Sequence, residues 1–257
     1  MNIFRCVCAL APALVLAAPP AHAGQTTFKV SFMNCTEVAG EGYVSLAVAQ
    51  KLVPAGYTIT SSLPGQTAGQ APMVVRMTSC GSVQINGGSS QPTTISQIGI
   101  NVVSPDGTGT INNYMALYVT NNPQLVAAFL GAGIPATLDP LISYEYTSND
   151  SGGGSLYGAV SPREFGPYFL YGAETDPPQN SAQQFIANWW YGPNAAIRQQ
   201  TTFPAISFGA SSVALYTSRT SPLGQLIGGS VYSSFTVLSV RGVYSLAKMV
   251  VAPSGIP

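Results

Sequence analysis

A mainly β fold with two or three short helices is what the sequence predicts, and three observations predict it. Short runs of β-branched and aromatic residues alternate along the chain with Gly, Pro, Asn and Ser, the pattern of strands separated by turns. The 27 Gly and 20 Pro among 257 residues supply that punctuation, while 46% hydrophobic and 7% charged residues leave ample material for a core and argue against disorder. Only three segments carry helical spacing together with a start or stop signal.

The elements follow in chain order. Arg5 gives a positive start, Cys6 to Ala18 form an apolar run, Pro19 and Pro20 break it, and Ala21-His22-Ala23 is a small-x-small cleavage site. Residues 1–23 are therefore expected to be a signal peptide and residues 24–257 one exported domain, periplasmic or extracellular. The apolar run is shorter than the roughly 20 residues a bilayer requires, so no membrane span is expected in the mature chain. Strands are predicted at Thr27–Met33, Met73–Ser79, Ser96–Val103, Tyr114–Thr120, Leu141–Thr147, Phe185–Tyr191, Ala205–Phe208, Ser212–Thr217, Val231–Val237 and Tyr244–Val251. Ser104-Pro105-Asp106-Gly107 is a turn between two of them. Asn149 to Ser155, with three consecutive glycines, reads as a long surface hairpin or a boundary, and the hairpin is preferred.

The first helix is predicted over Val44–Val53, where Val44, Ala47, Val48 and Leu52 share a side and Pro54-Ala55-Gly56 stops it. The second runs from Asn121 to Gly131, with Asn122 as cap and Pro123 in the first turn. A third, at Ser221–Ile227, has Ser221 as cap and Gly228 as exit.

Charge and histidine usage exclude several chemistries. The formal net charge is zero, and removal of Arg5 with the leader leaves a slightly acidic chain, so there is no basic field for nucleic acid. The single histidine is His22, inside the expected leader. A mature chain without histidine has no Ser-His-Asp triad and no histidine-bound zinc. Only Cys35 and Cys80 remain after processing, and two thiols in an oxidising compartment pair with each other. That disulfide would close a loop of about 46 residues, for which the chain-entropy relation gives on the order of 4 kcal/mol. Paired thiols leave no thiolate metal site and no nucleophile, so neither metal nor cofactor is expected.

Ala49-Gln50-Lys51-Leu52-Val53-Pro54-Ala55-Gly56-Tyr57-Thr58-Ile59, followed by Pro72-Met73-Val74-Val75-Arg76-Met77, resembles the opening of acetoacetate decarboxylase-like proteins, where a short helix ends in a "VP" turn and feeds a strand. Asn113 to Pro123, the helix after it and Gly133-Ile134-Pro135-Ala136-Thr137-Leu138 are similar to that family's strand, helix and "G-x-P-K" turn. Ser221 to Leu226, continuing to Lys248-Met249-Val250-Val251, resembles its closing segment. The matches are loose but keep their order along the whole mature chain. The resemblance implies a curved antiparallel sheet closed into a barrel around a cavity, with helices outside. It does not carry the activity, because the Schiff-base lysine of those enzymes is replaced here by Ala136 or Thr137, and neither forms an imine.

Two charged residues stand inside predicted strands. Arg76 shares a face with Val74 and Thr78, and Glu145 shares one with Leu141, Ser143 and Thr147. If both faces line the barrel interior, Arg76 and Glu145 pair across the cavity and orient a polar ligand group; the alternative is that both face water. Arg198 is a further candidate. Trp189 and Trp190, with Tyr114, Tyr118, Tyr144 and Tyr146, either floor an apolar pocket or fill the core. Three functional readings follow: binding of a small, mostly apolar molecule in the cavity; a lyase or hydrolase on a carbonyl compound, with Glu145 as acid or base and Arg76 as oxyanion partner; or a structural surface protein with a filled barrel.

Overall fold

The computed structural model describes residues 26–150, 152–179 and 181–255, so the expected leader lies outside the described residues. The chain is mainly β, in the order β1 (Phe28–Ser45), α1 (Leu46–Leu52), β2 (Gln70–Ile85), β3 (Ser90–Asn101), β4 (Ile111–Thr120), α2 (Pro123–Gly131), β5 (Thr137–Leu138), β6 (Ser143–Ser148), β7 (Gly154–Val160), β8 (Tyr168–Glu174), β9 (Gln183–Tyr191), β10 (Ile197–Thr217), α3 (Pro222–Ile227), β11 (Val231–Tyr232) and β12 (Leu238–Pro253). All three helices lie where the sequence places them. Asn122 caps α2 by accepting from the Leu125 amide at 3.0 Å, and Ser221 caps α3 by accepting from Gly224 at 2.9 Å.

Seven strands form a closed ring of hydrogen-bonded neighbours, β12-β1-β2-β3-β4-β9-β10, completed by the pairing of β10 with β12. Short β5 pairs with β4 in parallel off the ring, and within the ring the expected all-antiparallel arrangement fails at one place, since β4 and β9 run parallel. The reason is connectivity: between them the chain travels through α2 and four further strands, β5 to β8, a crossover of the kind parallel neighbours need. Strand β10 belongs to two sheets. Its first part pairs with β9 and β12, and Ser211 to Thr217 leave the ring to pair with β8, which carries β7 and β6 beyond it. The strands predicted at Ala205–Phe208 and Ser212–Thr217 are parts of the single strand β10, which begins at Ile197 and runs through Pro204; Pro204 sits at a register shift between Phe203 and Ile206, where the missing donor is tolerated. β7 and β8 have no counterpart among the predicted strands, since their glycines and flanking prolines read as loop.

Alternating burial separates two cores. One contains residues of all seven ring strands, among them Phe32, Val74, Ile95, Met115, Trp189, Phe203 and Met249, and therefore fills the ring interior. Leu125 and Phe129 of α2 join it, with the Phe129 ring 4.1 Å from Tyr118 and 5.2 Å from Phe28, so α2 plugs one end. The other core lies between the outer face of β2 to β4 and the second sheet, where Met77, Ile98 and Val119 meet Leu156, Leu170 and Leu215. Gly158 permits this approach, because a Cβ there would meet the Met77 sulfur at 2.4 Å.

In β1 the inward set changes phase at Asn34, a non-glycine residue in the left-handed region at φ 53°. Phe28, Val30 and Phe32 point inward before it, Cys35 after it. Cys35 stands opposite Cys80 of β2 and the two form a buried disulfide. Alkylation of the oxidised protein without reductant is expected to label neither Cys35 nor Cys80; mass spectrometry showing both labelled would overturn the pairing.

Candidate functional site

Arg76 faces the ring interior, between Val74 and Thr78. Its Nη2 donates to Glu37 Oε2 at 2.7 Å and to Thr78 Oγ1 at 2.9 Å, and its Nη1 donates to Gln97 Oε1 at 3.3 Å. Register explains the partner: Glu37 lies opposite Thr78 and Ala39 opposite Arg76, so Glu37 is the diagonal neighbour on the inward face of β1. Burial works against the guanidinium charge, but Glu37 beside it, together with the Tyr244 and Tyr118 hydroxyls, outweighs this and raises the Arg76 pKa. Glu145 is not the partner. It stands opposite Tyr157 on the solvent face of the second sheet and is exposed. The inner face of that sheet is occupied by Ile142, Tyr144 and Tyr146, which leaves the Glu145 face to water.

The other candidates divide between the two cores. Trp189 is buried inside the ring, whereas Trp190, adjacent on β9, points outward into the second core and donates its indole N–H to Asn112 Oδ1 at 2.9 Å. Tyr114 is also in that second core, packed 5.1 Å from Tyr57, and Tyr144 is half-buried there with its hydroxyl 3.4 Å from Thr36 Oγ1. Arg198 forms an ion pair with Asp106. Of the proposed ligand contacts, then, Arg76 and Trp189 line one cavity, and Tyr118 meets Arg76 in a smaller void behind it.

That cavity lies at the mouth of the ring, opposite the end plugged by α2. Its volume is about 450 Å³, and its walls are Val74, Ile111, Phe185, Trp189, Phe203, Phe208 and Val240, with Glu37, Glu41 and Arg76 as the charged groups. Deeper in, beyond Arg76, the ring is nearly full: a polar void of about 10 Å³ remains between Arg76, Gln97, Tyr118, Gln199 and Tyr244, room for about one water sphere. Burial pushes the Tyr118 and Tyr244 hydroxyls well above the usual phenol range, so both stay neutral. Gly99 shapes the cavity wall, since a Cβ there would meet the Trp189 ring at 2.7 Å and the Tyr114 carbonyl at 2.6 Å.

Glu41 escapes sequence analysis, as Glu37 does, because both lie near glycines that read as a turn. It is only 7% exposed, and its Oε1 accepts from Asn101 Nδ2 at 2.6 Å. Burial raises its pKa, with the Asn101 bond opposing. A carboxyl whose folded pKa is raised stabilises the fold in its neutral form. That stability is complete below the unfolded value of roughly 4.3 and is lost as pH rises through the higher folded value. Glu41→Gln is accordingly expected to be more stable than the parent at pH 7, with the difference closing as pH falls toward 4. Urea denaturation across that range tests it; a gap that widens on acidification would contradict the burial argument.

Lys29, Lys51 and Lys248 are all exposed. Thr137 pairs with β4 through β5 and donates to Glu164 Oε2 at 3.0 Å, while Ala136 packs against the ring core. Among the described residues, no helix is long and apolar enough to cross a membrane.

A ring of these strands, with a short helix after β1 and a second after β4 plugging one end, is an arrangement with counterparts among solved structures. The structure is similar to that of an acetoacetate decarboxylase-like enzyme from Sphingomonas wittichii RW1, with a TM-score of 0.51 at 11% identity over 95% of this chain and 98% of that one. An enduracididine biosynthesis enzyme, MppR, solved with the condensation product of pyruvate and imidazole 4-carboxaldehyde, aligns at a TM-score of 0.48 and 13% identity over 92% of this chain and 90% of its own. At such identities the likeness is one of fold. No family model and no curated protein matches the sequence.

Proposed function

We propose that this is an exported protein, closed as a barrel by its strand ring, which holds a small, mostly apolar molecule at the ring mouth without Schiff-base decarboxylase chemistry. The observation that carries the reading is the cavity of about 450 Å³ with apolar walls and a few convergent polar groups, a size and lining typical of small-molecule sites. Three exposed lysines, together with Ala136 and Thr137 in the turn where the family resemblance places a lysine, support the absence of imine chemistry. The expected leader at 1–23 and the Cys35–Cys80 disulfide support export. The carbonyl-enzyme alternative required Glu145 beside Arg76 and loses its acid or base with Glu145 on the outer sheet.

The neutral apolar dye N-phenyl-1-naphthylamine is expected to bind saturably, one per chain, and to quench Trp189 fluorescence. Val240→Trp at the cavity wall should abolish binding while leaving the fold intact. Acetoacetate followed by borohydride should leave the mass unchanged. Unsaturable dye uptake, or saturable uptake indifferent to Val240→Trp, would sink the cavity reading, and a reduced adduct on Lys248 would sink the claim about chemistry.

A further inference from the structure

The charges around the cavity do not balance. Glu37 is matched by Arg76 at 2.7 Å. Glu41, four residues on along the same inward face, is buried to a similar degree and lines the same cavity, yet no ion pair among the described residues includes it. Its nearest titratable neighbour on β1, Tyr43, donates its hydroxyl to the Pro64 carbonyl at 2.6 Å and brings no positive charge. The one guanidinium at the site is committed to Glu37, Thr78 and Gln97.

A second acceptor lies beside this carboxyl. Asn101 is 7% exposed, gives its Nδ2 to Glu41, and leaves its Oδ1 buried without a partner. The adjoining walls are aromatic: Phe185 lies 5.9 Å from Phe203 and 6.2 Å from Phe208, with Trp189 completing the lining. Ring faces attract cations, and a buried carboxylate is costly until a cation meets it. A ligand carboxylate would face two acids and a guanidinium already engaged. A neutral ligand would leave both Glu41 and Asn101 Oδ1 unmatched. An ammonium has donors for both acceptors, and an apolar body suits the walls.

Resting on the cavity reading above, we infer that the ring mouth selects an apolar primary amine, its ammonium held by the Glu41 carboxylate and Asn101 Oδ1 and its hydrocarbon body against Phe185, Phe203 and Trp189.

Isothermal titration of the disulfide-bonded protein at pH 7 with 2-phenylethylamine, 2-phenylethanol and phenylacetate tests this on one hydrocarbon skeleton. The amine is expected to bind at least tenfold more tightly than the alcohol, equivalent to about 1.4 kcal/mol, and phenylacetate least. Glu41→Gln should bring the amine-to-alcohol ratio to about one while retaining alcohol binding, which also reports that the variant folds; Glu41→Asp should keep the preference. Equal amine and alcohol affinities in the parent, or a preference that survives Glu41→Gln, would overturn the amine inference and leave the cavity reading standing. Binding of none of the three, with no dye uptake, would overturn both.

Discussion

Replacing Glu37 with alanine is expected to cost about 3–5 kcal/mol, the range for removing one partner of a buried ion pair, and more than Arg76→Met costs. The two side chains are only 8% and 12% exposed, so neither charge can recover its hydration by a small movement. The difference between the variants lies in what each leaves behind. Loss of Glu37 strands a guanidinium that cannot shed its proton within the accessible pH range, and Thr78 and Gln97 offer it only neutral acceptors. Loss of Arg76 strands a carboxyl, which can take up a proton and keep its bond from the Thr78 hydroxyl at 3.1 Å. Methionine also fills much of the arginine stem's space. The double replacement Glu37→Leu with Arg76→Met should lie closest to the parent, because it removes both desolvated charges at nearly constant volume. Urea denaturation at pH 7 measures all three. A Glu37→Ala variant within about 1 kcal/mol of the parent, or one more stable than Arg76→Met, would mean that water reaches the pair.

That Arg76 shares a face with Val74 and Thr78 was legible, because their two-residue period is local and uninterrupted, although the sequence left open whether that face turns inward or to water. The partner of Arg76 was not legible, and the obstacle is physical. Asn34 takes a left-handed conformation in the middle of β1, and in sequence such a residue looks like the end of a strand. The predicted strand therefore stops at Met33, short of the continuation that carries Glu37 and Glu41 inward. Glu145 shows the complementary limit: alternation puts it on one face of β6, but which face meets water depends on the second sheet packing outside the ring, a non-local fact. The three helices and the caps of α2 and α3 were legible because each rests on neighbours within a few residues. The parallel contact of β4 with β9 depends on a crossover that no short pattern announces. The mouth cavity needs the closed ring, and only the resemblance pointed there.

Glu174→Ala is expected to cost a further sum of the same order, about 3–5 kcal/mol, and to act on a different part of the molecule. The Glu174 side chain is fully buried at the end of β8, opposite Gly154 of β7 and Ser211 of β10, where β10 passes from the ring into the second sheet. Its Oε1 receives Arg241 Nη1 of β12 at 3.2 Å, and its Oε2 receives the Tyr146 hydroxyl of β6. Arg241 in turn donates its Nε to Thr36 Oγ1 of β1 at 3.1 Å and lies 3.8 Å over the Tyr146 ring. Four strands are thus linked through Glu174 and Arg241, two from the ring and two from the outer sheet. Alanine would leave the Arg241 guanidinium with a neutral hydroxyl and a ring face in place of an anion, and would release Tyr146. Because the ring keeps its own closed ladder, the loss should appear first as weakened docking of the outer sheet. Amide hydrogen exchange in Glu174→Ala is expected to accelerate in β6, β7 and β8 well before β1, β2 and β3, while Tyr146→Phe, which removes one hydroxyl, should cost only about 1 kcal/mol. Exchange rising uniformly through ring and outer sheet would show that the two layers unfold as one unit and that Glu174 does not hold a separable boundary.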